Sequence, residues 1–385
     1  MPKLTIRDIA QLAGLSKSTV SLVLNNSPKV DPATRERVLE VMRSHNYTPS
    51  SAATALAKGR TPFIGMIVPG LTWHMVAAVN YGVASVIEQS PYEIILYTST
   101  NEKDYTALVE RITTSGLSAG LLVVTHDQPL DPLEKLHRSG LPVVLVNTLG
   151  TPSSLPSVQT DNYEGTRIAL RHLVELGHTR IACVQGLMAY VCCQDRYRGY
   201  LDALDEAGIS PDPGLTVDGG FHPPTVRERV SELLARPDRP TAIVAQNDST
   251  AYAVMQAVID CGLRVPQDIS VVGFDDIASS ADTHPPLTTV RQPFPEMGVA
   301  AARMLLRTID GDDAGAPDGD AGAVTSGGTD AGTAGTISMP TSLIVRESTT
   351  GAPSKPFTPA RTPATGPDTP PRPWSGLGPN ISSQR

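Results

Sequence analysis

Long apolar runs are missing from this 385-residue chain. None approaches the roughly 18 residues that a membrane-spanning helix needs, so no integral membrane protein is expected. The first residues, MPKLTIRDIAQLAG, lack the apolar core and the cleavage site of a secretory signal. Cysteine is scarce: Cys183, Cys192, Cys193 and Cys261 are the full complement. That is too few for a disulfide framework, and two of them are adjacent, which is poor geometry for a mutual bridge. A reducing cytoplasm, at the nucleoid, is the expected location. Redox activity at Cys192-Cys193 is the lesser reading, because free buried cysteines are usually inert. Catalytic signatures are missing too. The histidines are scattered, and HExxH, CxxC and P-loop strings do not occur. No cofactor, metal site or enzymatic activity is expected.

Charge is present, but unevenly. Residues 1–60 hold nine Lys and Arg against four acids, whereas residues 61–385 hold 22 against 35. A basic head on an acidic body points to a polyanionic partner at one end only.

Residues 61–310 alternate short apolar runs with helical patterns. Strands are expected at Phe63–Val68, Glu93–Tyr97, Gly120–Val124, Val143–Asn147, Arg180–Gln185, Thr241–Ala245 and Ile269–Phe274. Each is short, apolar and β-branched, as strands buried on both faces are. Between them lie helical repeats such as Asn162–Leu176, stopped by Gly177. Repeated strand–helix–strand units imply parallel, doubly wound sheets, and about 250 residues suffice for two such lobes. Ligands in these folds sit beyond the carboxyl ends of the strands. The stretch 311–335, rich in Gly, Asp and Ala, reads as a disordered insert. Residues 337–347 (ISMPTSLIVRE) read as one strand, and 350–385 as a disordered tail without a heptad pattern.

The first 49 residues read as helices without strands. Ile6, Ile9, Ala10 and Ala13 form one apolar stripe behind Thr5, a good N-cap. Gly14 breaks that helix and Leu15 plugs the turn. Ser16 caps a second helix, Lys17 to Leu24, and Val38, Val41 and Met42 mark a third. This is helix-turn-helix architecture. The hydroxyls of Ser16, Thr19 and Ser21 and the amide of Asn25 suit phosphate contacts. Lys17, Ser18 and Leu22 are the base-edge candidates. Leu22 either meets a thymine methyl or packs locally. An ordinary capped helix with a solvated face explains the same periodicity.

TIRDIAQLAGLSKSTVSLVLNN followed by VDPATRERVLEVMRSHNYTPS closely resembles the head of the LacI/GalR family of bacterial transcription regulators. The resemblance extends over nearly all of residues 3–349. It implies an all-α head on an α/β, periplasmic-binding-protein-like body. The implied units are a DNA-binding domain at 1–49, a hinge at 50–61 and an effector-binding and dimerisation domain at 62–349. The lobes would be 62–160 with 293–336, and 161–291 with 337–347. By the same resemblance the second helix reads the major groove through Lys17, Ser18 and Leu22, where the family often has a polar or basic residue in place of Leu22. By composition alone, Ser50–Gly59 is an Ala-rich flexible linker, too short for a stable isolated helix. The family match makes it a segment that orders on the operator and inserts Leu56 into the minor groove.

In the body, TDNYEGTRIALRHLVELGHTRIACVQG, DRYRGYLDALDEAGI and AIVAQNDSTAYAVMQAVIDCGLRVPQDISVVGFDDI carry the resemblance. Arg196 and Asp275 match positions that hold effector, and Phe221 matches an aromatic that covers it. Arg196 donates in a fixed fork and Asp275 accepts, which suits adjacent hydroxyls of a sugar. The same two residues also make an ordinary ion pair. Asn147 and Asn247 fall at strand ends, and Trp73 and Tyr190 are candidate walls. Trp73 is equally compatible with the core or a dimer interface, and Gln292 with the cleft or a surface loop. The expected partners are an operator duplex, a second copy of the chain and a small effector. The effector is read as sugar-like, with a nucleobase-type co-repressor as the alternative. A sugar receptor or an enzyme on the same fold is a further alternative. The basic head and the missing phosphate loops argue against it.

Overall fold

The structure is a computed structural model, and it describes residues 4–24, 27–47, 61–71, 73–98, 102–124, 130–148, 153–311 and 335–353. The head contains α1 (Ile6–Ala13), α2 (Lys17–Leu24) and α3 (Pro32–Ser44). A capping box closes the start of α1. The Thr5 hydroxyl accepts from Asp8 N at 3.4 Å, and the Asp8 carboxylate accepts from Thr5 N at 2.8 Å. Gly14 ends the helix at φ 64°, the left-handed conformation that a residue without Cβ adopts freely. Ser16 Oγ then accepts from Thr19 N at 3.0 Å and starts α2. Asp31 caps α3 with Pro32 just inside. Ile9, Ala10, Ala13, Val20, Val23 and Val38 are buried between the three helices, with Leu15 packed against them as the turn plug.

The body is built on two six-stranded sheets. The first comprises β1 (Phe63–Val68), β2 (Glu93–Thr98), β3 (Gly120–Val124), β4 (Val143–Val146), β5 (Ser157–Thr160) and β11 (Thr336–Met339), ordered β11-β5-β4-β3-β1-β2 and parallel throughout. The second comprises β6 (Ile181–Gln185), β7 (Thr216–Asp218), β8 (Ala242–Ala245), β9 (Ser270–Asp275), β10 (Thr288–Arg291) and β12 (Ser342–Ile344), ordered β12-β10-β9-β8-β6-β7. Only its β10–β12 pair is antiparallel.

Helices cover both faces of each sheet, so the inner strands β3, β4 and β8 bury every residue and read as unbroken apolar runs. On the first sheet, α4 (His74–Ile87) and α11 (Phe294–Asp310) share one core, and α5 (Glu102–Ser115) and α6 (Asp131–Arg138) the other. On the second, α7 (Asn162–Glu175) and α8 (Val191–Glu206) take one face, and α9 (Pro223–Leu234) and α10 (Asp248–Asp260) the opposite one. The α4–α11 contact needs glycine. A Cβ on Gly82 would lie 1.9 Å from Pro295 O, and one on Gly298 2.2 Å from Val79 O.

The chain crosses between sheets after β5, after β10 and after β11. The last crossing corrects the single strand expected at 337–347. Pro340 splits it, with Thr336–Met339 paired to β5 and Ser342–Ile344 to β10. Residues 337–339 therefore belong to the first lobe, not to the second. The expected tail also starts too early. Thr350 O accepts from His178 Nε2 at 2.9 Å, and Ala352 N donates to Leu176 O at 2.9 Å. Strands β5, β7 and β10 were absent from the sequence-based strand set. Residues 312–334 of the insert, 50–60 of the hinge and 354–385 of the tail lie outside the described residues. Among the described residues, no helix is long and apolar enough to cross a membrane.

Candidate functional site

Between the carboxyl ends of the two sheets lies a cavity of about 500 Å³. All eight residues singled out from the sequence line it: Trp73, Asn147, Tyr190, Arg196, Phe221, Asn247, Asp275 and Gln292. They meet there because each sits at or just beyond a strand end or, like Arg196, early in the helix that follows one.

Arg196 is 5% exposed and fully engaged on its inner side. Its Nε donates to Asn162 Oδ1 at 2.8 Å, one terminal nitrogen donates to Gln246 O, and the guanidinium lies 3.8 Å over the Phe274 ring. Its other terminal nitrogen is 3.8 Å from Asp275 Oδ1. That is a long separation for an ion pair, and a ligand oxygen on the cavity side can bridge the two groups. The simple structural pair is thus at best loose.

Asp275 instead accepts from Gln292 Nε2 at 2.6 Å, and Gln292 Oε1 accepts from Thr160 Oγ1 at 2.6 Å. Gln292 is buried in the cleft, not in a surface loop. The Asp275 side chain keeps 22% of its surface open. It opens onto the cavity rather than bulk water, so it is poorly hydrated. Burial pushes its carboxyl up to about 7, although Arg196 pulls it down.

Backbone strain gathers at this cavity. Five described non-glycine residues have left-handed φ, and Asn147 (52°), Phe221 (58°) and Asp275 (122°) are three of them. Asn tolerates that region; a phenylalanine does not adopt it without support. Phe221 gains that support by seating its ring over Gly186, where a Cβ would lie 2.1 Å from Phe221 Cζ. Next to Asp275, Asp276 has φ 55° and is held between Arg291 (2.7 Å) and Arg346 (2.6 Å). Buried Asp248 fixes the same loop by accepting from Ile277 N at 2.9 Å and Ser280 Oγ at 2.6 Å.

Asn247 spends its side-chain oxygen capping α10, with Thr250 N at 2.8 Å, so its NH2 is what it offers the cavity. Asn147 Nδ2 reaches Met75 Sδ at 3.5 Å. Trp73 is 42% exposed, which removes the core reading. Sequence reasoning missed Cys192, Met75, Leu187 and Phe294 in the lining. Only Cys192 carried a signal, its place two residues after Tyr190. The sequence also contains a G-x-S-x-G string, Gly116–Gly120. It precedes β3 instead of following a strand, and Ser118 Oγ is buried 3.4 Å from Tyr97 OH, so it is no nucleophile elbow.

In the head, Ser16, Lys17, Ser18 and Leu22 lie exposed on one side of α2, with Thr19 and Ser21 half-buried beside them. Leu22 is 40% exposed, so local packing uses only part of it. Thr5 is exposed, but its hydroxyl donates to the Asp8 carboxylate at 2.7 Å. Asn25 and Leu56 lie outside the described residues.

Residues 5–50 match the family model "Bacterial regulatory proteins, lacI family", and residues 170–349 match "Periplasmic binding protein-like domain". The HTH-type transcriptional repressor PurR of Aliivibrio salmonicida (strain LFI1238) is 34% identical over 308 residues, covering 79% of this chain and 92% of the relative. Among solved structures, the lac repressor dimer bound to operator and the anti-inducer ONPF superposes with a TM-score of 0.76 at 26% identity, over 90% of this chain and 99% of that one. A transcriptional regulator CelR–cellobiose complex gives a TM-score of 0.64 at 29% identity, over 90% and 100%. These relatives are transcriptional regulators with the same head and two-lobed body. This chain belongs to the LacI family of bacterial regulatory proteins and is a DNA-binding transcriptional repressor of that family.

Proposed function

We propose that this repressor binds a near-palindromic operator as a dimer, and that a small polar ligand held between the lobes sets how tightly it binds. The observation that carries the effector half is the Arg196–Asp275 gap. The remaining terminal nitrogen of Arg196 faces the Asp275 carboxylate across 3.8 Å in the lining of a 500 Å³ cavity. Vicinal hydroxyls satisfy both sides at once, accepting from Arg196 and donating to Asp275. Phe221 supplies an apolar ring face for sugar C–H groups, and Asn247 a further donor. A sugar-like effector fits this chemistry. The structural relatives include proteins described with cellobiose and with the lac ligand ONPF. A planar nitrogen heterocycle is the second reading. Trp73, Tyr190, Phe221 and Phe294 make an aromatic lining on which a flat ring stacks, and a protonated Asp275 donates to a ring nitrogen.

In the head, Lys17, Ser18 and Leu22 are assigned to base edges, and Thr5, Ser16, Thr19, Ser21 and Asn25 to phosphates. Leu56 is assigned to the minor groove. Two heads related by the dimer axis read two half-sites, which is why a palindrome is expected. Effector acts only through its differential affinity for two lobe arrangements, one of which brings the hinges together on DNA.

The deciding experiment is selection of bound duplexes from a random pool by the full chain, repeated with a panel of sugars and nucleobases. The expected result is one palindromic site whose retention changes with a sugar. A change caused by a nucleobase alone selects the second reading, and no enriched duplex removes the operator assignment.

A further inference from the structure

Cys192 and Cys193 occupy the first turn of α8, behind the N-cap Tyr190. All four cysteines are free. The pair differs in environment. Cys193 is fully buried, whereas the 7% of Cys192 that remains open belongs to the lining of the effector cavity. Met188, Tyr190 and Phe221 pack around both.

Three features favour negative charge on the Cys192 sulfur. The neighbouring Cys193, through its thiol and backbone N–H, favours charge there, although that N–H also donates to Tyr190 O at 3.0 Å. It lies in the first turn of a sixteen-residue helix, where the backbone N–H groups point outward. Arg196 follows one turn later on the same helix and also lines the cavity. Asp195 on α8 opposes these effects, and Asp275 at the end of β9 carries like charge nearby.

Together with burial, which by itself disfavours a thiolate, the balance still lowers the Cys192 thiol below its ordinary value and raises that of its donor Cys193. Cys183 provides the contrast. It is sealed within β6, and burial alone pushes it up to about 12. A disulfide between the neighbours is not the outcome this geometry serves. Adjacent Cα atoms are about 3.8 Å apart, short of the ~4.4 Å that bridged cysteines need, and both residues are held in a helical turn.

We propose that Cys192 is a nucleophilic thiol in the wall of the effector cavity and a modification site for small electrophiles bearing a conjugated carbonyl. The sulfur lone pair forms a bond to the β-carbon, and the C=C pair moves onto the carbonyl oxygen. The α-carbon then takes a proton from water, replacing the one the thiol released. Nothing is oxidised and no group leaves. The adduct occupies the space between Arg196, Phe221 and Asp275. Its effect on operator binding rests on the effector reading above; the reactivity of the thiol does not.

The test treats the full chain with limiting N-ethylmaleimide from pH 6 to pH 9 and follows each cysteine by peptide mass spectrometry. At pH 7 Cys192 is expected to label about tenfold faster than the half-buried Cys261, with a pH midpoint below the ~8.5 of an ordinary thiol. Cys183 and Cys193 stay unlabelled until the protein unfolds. Cys193→Ala removes the S–H donor and moves the Cys192 midpoint upward, while Cys193→Ser retains a hydroxyl donor and holds it nearer the wild-type value. The proposal is overturned if Cys192 labels no faster than Cys261 at pH 7, or if Cys193→Ala leaves the midpoint in place. Operator affinity of the labelled protein, with Cys192→Ser treated in parallel, separates the two ideas. Rapid labelling with unchanged operator binding keeps the nucleophile and removes the effector role of the cavity.

Discussion

Gln292 Nε2 donates to Asp275 Oδ1 at 2.6 Å, and this one bond ties the effector cavity to a crossover between the lobes. The other end of the same carboxamide accepts from Thr160 Oγ1, where β5 leaves the first sheet. In the proposed function, a ligand that engages Asp275 meets a group whose bond to Gln292 anchors two of the three crossings, after β5 and after β10. On that reading, the Gln292 side chain links occupancy of the cavity to lobe orientation.

Gln292→Leu keeps the volume and removes both bonds. The Asp275 carboxyl and the Thr160 hydroxyl lose a buried partner, at a cost of about 1–3 kcal/mol each where they stay unpaired. Melting should shift downward by several degrees. Operator affinity without ligand should stay within about threefold, while the change in operator affinity on adding effector should fall at least about tenfold, measured by fluorescence anisotropy. Retention of the full effector response would mean that the Thr160–Gln292–Asp275 chain carries no coupling.

The same carboxyl should make the protein pH-sensitive, with opposite signs for stability and binding of the proposed effector. Asp275 titrates at about 7 when folded, against about 3.9 in an unfolded chain. Between those values the folded state holds a proton that the unfolded state has released. Asp275 therefore contributes stability that declines as pH rises from about 4 to about 7. A hydroxylic effector that donates to the carboxylate needs the ionised form, so its affinity rises through pH 7. Asp275→Asn should flatten the stability decline and remove most of the binding. Burial also lowers the proton affinity of His178, so the difference between wild type and Asp275→Asn is the informative quantity. Calorimetry at pH 5.5 and pH 8 reads the binding arm. An affinity that falls with pH would favour a ligand that takes its hydrogen bond from a protonated Asp275.

Where the fold was legible, buried apolar runs and helical periods marked it. Strands β1, β3 and β6 stood out because helices bury both of their faces and no polar residue interrupts them until the end. Strand β10 did not, because it reads Thr-Thr-Val-Arg. Its threonines are nonetheless fully buried, satisfied by Asp248 Oδ1 at 2.5 Å from Thr289 and by Thr349 Oγ1 at 3.2 Å from Thr288. Their partners lie 41 and 61 residues away along the chain, so no local pattern reveals them. Asn147, Asn247 and Asp275 were legible from strand ends, whereas Arg196 and Phe221 were legible only through the family resemblance. The role of Gln292 was not, since its partners come from both lobes. Cys192 was discounted on its type alone; what matters is that the small part of it left open faces a cavity.

Lys17 tests the orientation of α2. It is exposed at the start of the helix beside Ser18, where a helix lying in the major groove meets base edges first. As a base-reading residue, Lys17→Ala should lower affinity for the selected site by about 1–3 kcal/mol and relax preference at one position of each half-site. As a phosphate contact, it should instead weaken all duplexes equally and reduce the slope of log affinity against log salt by about one. Filter binding across 50–300 mM salt on matched and mutated sites distinguishes the two. Loss of specificity at a single position is the expected outcome.

Leu56 extends the argument to the hinge, where the family match assigns a wedge between base steps. Wedging unstacks a step and is offset by contacts that only the bent duplex permits. Truncation removes apolar area worth about 2 kcal/mol when buried. Leu56→Ala should therefore weaken operator binding about thirtyfold, while non-specific binding, which rests on phosphate charge, changes little. Duplex bending, read by energy transfer between end labels, should fall in the same variant. Equal losses on operator and on random duplex, with bending unchanged, would show that the hinge contributes only length and leave sequence recognition entirely to α2.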